Sequence, residues 1–127
     1  MKPRLLTSCL LVLCSVLSAS AASITGRWRA EFDTAIGVQT YVFEFKVDGE
    51  KLTGKAVGER DGEKAEVAIT EGRVQGQTLA FVEQLNFKGM DLRISYEGRQ
   101  VGPNELRLTR HVGDVATEEL IAKRLPD

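Results

Sequence analysis

From residue 25 to the end, apolar and polar side chains alternate with a period of two. Trp28, Ala30 and Phe32 share one side of the chain, with Arg27, Arg29, Glu31 and Asp33 on the other. Tyr41, Phe43, Phe45 and Val47 repeat the pattern most clearly, and Leu52, Gly54 and Ala56 continue the inner face after a turn. Further strands are predicted through Val67 and Ile69, through Leu79 and Phe81, and through Met90, Leu92, Ile94 and Tyr96. Leu106 and Leu108 mark another, and a last strand is expected over residues 119–125. Such alternation is the mark of strands with one buried face. No segment carries a 3.6-residue stripe; at most one helical turn fits near residues 114–117.

A phrase recurs through this pattern. Val47-Asp48-Gly49-Glu50-Lys51-Leu52 is followed by Val74-Gln75-Gly76-Gln77-Thr78-Leu79 and by Val101-Gly102-Pro103-Asn104-Glu105-Leu106, each 27 residues after the last. Each copy is a tight turn opening a new alternation. The spacing leaves room for two strands and a second turn, so the repeating unit is a hairpin. Turns are predicted at Asp48-Gly49, Asp61-Gly62, Gly76-Gln77 and Pro103-Asn104. The fold class is all-β: an antiparallel up-and-down meander of about eight strands closing into a barrel.

The first residues read differently. Lys2 and Arg4 precede an apolar run over residues 5–17 and the small residues Ser18-Ala19-Ser20-Ala21-Ala22. A basic start, a hydrophobic stretch too short to span a bilayer and an Ala-x-Ala site describe a secretory signal peptide. Cleavage is expected after Ala21, leaving residues 22–127 as a single domain without a transmembrane anchor, secreted or periplasmic. Cys9 and Cys14 leave with the signal, so the mature chain holds no cysteine and forms no disulfide. Its 15 Lys and Arg against 18 Asp and Glu are interspersed. The cationic stripe of a nucleic-acid binder is missing.

Catalytic signatures are absent too. Gly49-Glu50-Lys51-Leu52-Thr53-Gly54-Lys55 nearly matches a phosphate loop, but Ala56 stands where a metal-holding hydroxyl is needed and no helix follows. The lone His111 has outward parity, which leaves a zinc site short of ligands. Glu31 and Asp33 lie on one outward strand face, as solvated carboxylates commonly do. No catalytic residue, metal or cofactor is assigned. One polar feature stands apart. Glu83 and Arg110, 27 residues apart, both follow apolar residues at inward parity. They form either a rim pair or a charge pair inside the cavity. With the inward Tyr41 and Tyr96 they are the candidate ligand-binding residues, polar groups in an otherwise apolar interior.

Thr25-Gly26-Arg27-Trp28 resembles the opening signature of lipocalins and the wider calycin group. The resemblance implies a barrel whose Trp28 plugs one end beneath a cationic side chain from the last strand, Arg124 being the first candidate and Arg110 the second. The stretch from Phe43 to Gly54 is similar to small bacterial secreted domains, some attached to or found beside polysaccharide-degrading enzymes. That likeness brings no catalytic residues. Two function classes follow: a binding module for a small apolar or amphipathic molecule, and a carbohydrate-associated protein, either a glycan-binding accessory domain or a weak glycoside hydrolase. Inward parity of Trp28, Tyr41, Phe43, Phe45, Phe81 and Tyr96 favours an internal site over a surface row of sugar-stacking rings.

Overall fold

A computed structural model describes residues 23–60 and 62–126; the segment expected to be a signal peptide, and Asp61 of the expected Asp61-Gly62 turn, lie outside the described residues. Eight antiparallel strands close into one barrel: β1 (Gly26–Thr34), β2 (Gly37–Asp48), β3 (Lys51–Arg60), β4 (Glu63–Gln75), β5 (Thr78–Phe87), β6 (Met90–Gly102), β7 (Glu105–Val112) and β8 (Ala116–Arg124). Each strand pairs with its neighbours in sequence, and β1 pairs with β8. The 27-residue recurrence has a simple meaning here. The β2–β3, β4–β5 and β6–β7 turns, which carry the three copies, all lie at one end of the barrel. The turn after β2 is formed by Gly49-Glu50, one residue later than expected. Gly76-Gln77 and Pro103-Asn104 turn as predicted.

Alternation holds along the walls. Trp28, Ala30 and Phe32 of β1, Tyr41, Phe43 and Phe45 of β2, and Leu106 and Leu108 of β7 are all buried. Two expectations fail, and one allowed possibility is not taken up. Met90 is 61% exposed, because β6 starts at the open rim, where inward parity no longer means burial. The last strand begins three residues early, at Ala116. In place of a helical turn near residues 114–117, a turn over residues 113–115 runs straight into it.

Gly54, on the inner face, marks a close approach of two strands. A β-carbon there would sit 1.8 Å from the Glu44 carbonyl oxygen, on a backbone with φ of +142°. Glycine is required because β2 and β3 approach too closely for any side chain, next to a register shift between Lys51 and Lys55.

One end is filled. Phe43 and Phe45 stack at 5.7 Å, and Phe81 and Tyr96 at 4.5 Å; edge contacts at 5.3–5.6 Å join the two pairs. Beneath them lies Trp28, whose Nε1 donates to the Ile24 carbonyl at 2.9 Å. The Arg124 guanidinium caps the Trp28 ring, 4.3 Å from its centroid. Arg124 also donates to the carbonyls of Ser23, Thr25 and Pro103 at 2.9–3.0 Å, tying the segment before β1 to the last strand. The β1–β8 seam itself pairs at only three positions, from Trp28↔Arg124 to Ala30↔Ala122. Toward the other end, residues 31–34 and 116–121 have no pairing partner across the seam among the described residues.

Candidate functional site

Above the aromatic layer the interior opens. A cavity of about 420 Å³ lies between the β1–β2 turn, the start of β4 and the β7–β8 turn. Its walls include Leu85, Leu92, Ile94 and Val112, and Ile36 and Val115 stand at its mouth, the latter 82% exposed. Its floor is polar: Tyr41, Glu83, Arg110 and Glu118. The interior is thus half filled and half hollow.

Register assembles that floor. Tyr96 lies opposite Arg110, and Arg110 opposite Glu118, so three adjacent strands deliver the three side chains along one line. Glu83 enters from β5, where its neighbours Leu79 and Phe81 share its inward parity. Tyr41 comes from β2 opposite Gly58; a β-carbon at Gly58 would lie 2.8 Å from Tyr41 Cε1, so the bare position lets the ring lie across β3.

The hydrogen bonds run in one direction. Arg110 Nη1 donates to Glu118 Oε1 at 2.5 Å, Nε to Tyr96 Oη at 2.9 Å and Nη2 to Tyr41 Oη at 3.3 Å. Tyr96 and Tyr41 in turn donate to the two oxygens of Glu83, at 2.8 and 3.2 Å. The guanidinium also faces the rings of Phe32, Tyr41 and Tyr96 at 5.3–5.9 Å. No buried side-chain nitrogen or oxygen among the described residues is left without a partner. A buried polar cluster satisfied to this degree is rigid and oriented.

Of the two readings of Glu83 and Arg110, the geometry is the interior one: both are buried, and the tyrosine hydroxyls bridge them. Tyr41, Glu83 and Arg110 line the cavity. Tyr96 sits beneath the floor and holds Glu83 and Arg110 by hydrogen bonds instead of facing the space. Glu118 was missed, though Leu120 and Ala122 carry its inward parity; a strand expected to start at residue 119 left it out. His111 lies outside the cavity, 3.2 Å from Glu97.

Burial shapes the ionisation. It pushes the Tyr41 hydroxyl up to about 12, helped by the Glu83 charge, and raises Tyr96 well above its ordinary value. Burial likewise raises Glu83 above its ordinary 4.5, outweighing Tyr96, Arg110 and Tyr41, which favour its charged form. Arg110 is pulled down by burial but raised more by Tyr96, Tyr41 and Glu118, and stays charged.

A pH prediction follows from Glu83. A carboxyl raised on folding contributes stability that is complete below its unfolded pKa and lost as pH rises through the folded one. Urea unfolding from pH 4.5 to 8 is therefore expected to show the wild type losing stability relative to Glu83→Gln as pH rises. A gap between the two that stays constant with pH contradicts the assignment.

No protein-family model matches this chain, and no curated protein matches it. Among solved structures it is similar to that of EF1p2_mFAP2b bound to DFHBI, with a TM-score of 0.63 and 16% identity over 85% of this chain and 100% of the other. The likeness is one of fold, to a structure that holds a ligand.

Proposed function

We propose that this chain is a non-catalytic binding barrel of lipocalin-like type for one small, largely apolar molecule with a polar end, working outside the cytoplasm after loss of residues 1–21. The observation that carries this reading is the cup itself: apolar walls open at a mouth, over a fully hydrogen-bonded polar floor. Its volume of about 420 Å³ falls within the range of small-molecule sites. A floor already complete without a ligand orients the guest without reorganising, which lowers the entropic cost of binding. That EF1p2_mFAP2b holds DFHBI supports the fold's capacity for such a guest. The start of the chain, with its basic residues, apolar run and Ala-x-Ala site, supports export.

The glycosidase alternative draws on one observation, two carboxyls in a single cavity with Glu83 held protonated to higher pH. Against it, both Glu83 oxygens accept tyrosine hydroxyls and Glu118 is joined to Arg110, so neither carboxyl is free to serve a leaving group or a water.

The test is a thermal-shift screen with lipids, isoprenoids and oligosaccharides, run beside hydrolysis assays on the same glycans. A ligand at 100 times its Kd is expected to add about 2.7 kcal/mol of stability. Leu92→Trp, which fills the cup, is expected to abolish that gain. Glycan turnover that disappears in Glu83→Gln overturns the reading in favour of the enzyme.

A further inference from the structure

The geometry points to a guest of one charge class: a small amphipathic amine, with its apolar body in the cup and its protonated nitrogen directed at the floor. This rests on the binding reading above and goes beyond it by naming the head group. A buried arginine at the base of an apolar cavity looks at first like an anchor for a carboxylate or a phosphate. Here its charge is already answered. Nη1 lies 2.5 Å from Glu118, and Nε and Nη2 are directed at the two tyrosine hydroxyls.

The remaining charges around the cavity decide the sign. Its lining holds four carboxyl groups, Glu59, Glu63, Glu83 and Glu118, against two cations, Lys64 and Arg110. Arg110 offsets Glu118, and Lys64 stands directly opposite Glu59 on neighbouring strands. Arg60 stands opposite Glu63 at the rim in the same way, which leaves Glu83 at the floor without a cation of its own among the lining residues. An anionic head group lowered into this cup leaves water for a site where the nearest positive charge is already neutralised, and burying a charge without a partner is strongly unfavourable. An ammonium meets the opposite environment. Glu83 is the floor carboxyl with no cation bonded to it, and its charge favours a cation in the cup. The net negative field of the walls also favours approach of a cation through the mouth.

Isothermal titration of the protein at pH 7 with three eight-carbon probes tests the class: octylamine, which is protonated, octan-1-ol and octanoate. Octylamine is expected to bind about ten-fold more tightly than octanoate, with octanol between them. Glu118→Gln removes the group that neutralises Arg110 and is expected to shift preference toward octanoate. Glu63→Lys, an exposed rim change that leaves the floor intact, is expected to narrow the gap and covers the case in which the Glu118 variant folds poorly. Octanoate binding as tightly as octylamine, with both lost in Leu92→Trp, overturns the charge class and leaves the binding barrel standing. Absence of heat with all three probes, together with no hit in the ligand screen, overturns both.

Discussion

Replacing Arg110 by Met is expected to lower the free energy of unfolding by about 3–5 kcal/mol, the range seen when one partner of a buried ion pair is removed. Met keeps much of the apolar stem, so the loss reports the head group. Without it, Glu118, whose side chain is only 12% exposed, keeps a charge with no cation beside it. The hydroxyls of Tyr41 and Tyr96 lose their donor while still donating to Glu83. Arg110→Lys should recover part of the loss, since a point charge cannot reproduce three bonds to Glu118, Tyr96 and Tyr41. The double change Arg110→Met with Glu118→Met is the sharper comparison. Replacing both partners by apolar groups is often neutral or stabilising, so the double variant should be more stable than Arg110→Met alone. Urea midpoints at pH 7 measure all three. A loss below about 1 kcal/mol for Arg110→Met, the value of an exposed pair, contradicts a buried network.

Gly54→Ala is expected to be comparably damaging for a different reason. A residue forced into a sparsely allowed backbone region costs about 1–3 kcal/mol, and Gly54 has φ of +142°. The new methyl also meets the Glu44 carbonyl oxygen at 1.8 Å, a backbone atom held by strand pairing that cannot rotate away. The two effects add, and a total above about 3 kcal/mol is expected. Gly102→Ala is the control: nothing lies within 4 Å of a β-carbon there, and the change should fall within about 0.5 kcal/mol of neutral. Equal midpoints for the two variants would mean that β2 and β3 do not cross as closely as described.

These two positions also show what the sequence discloses. Arg110 was legible because strand parity is local: two residues after Leu108 on the same face, its direction follows from the period alone. Glu118 obeys the same rule but depends on where β8 starts, and strand ends are set by turns whose length leaves little trace in composition. Met90 fails for the complementary reason, since parity describes direction and burial depends on depth along the barrel. Gly54 is harder still. A glycine on an inner face reads equally as empty space and as close backbone approach, and only the neighbouring strand distinguishes them. The 27-residue recurrence placed three turns and implied the hairpin unit. Whether the barrel is hollow depended on how aromatic side chains from β2, β5 and β6 share one end, a long-range outcome absent from any single segment.

The short β1–β8 seam has a consequence for how the wall breathes. This junction is held only at the Trp28 end, under the Arg124 clamp, and β4–β5 is likewise unpaired toward the mouth, beyond Ile69↔Glu83. Local opening favours the region with fewest hydrogen bonds to break. Amide protons that point across either unpaired stretch are therefore expected to exchange with solvent early, while those beside Ala30 and Ala122 exchange late. The barrel is expected to widen along two lines, from its mouth down to Ala30 and down to Ile69, without disturbing the aromatic layer. A guest slightly larger than the resting cup is then accommodated by spreading two strands, on the timescale of wall fluctuation and not of global unfolding.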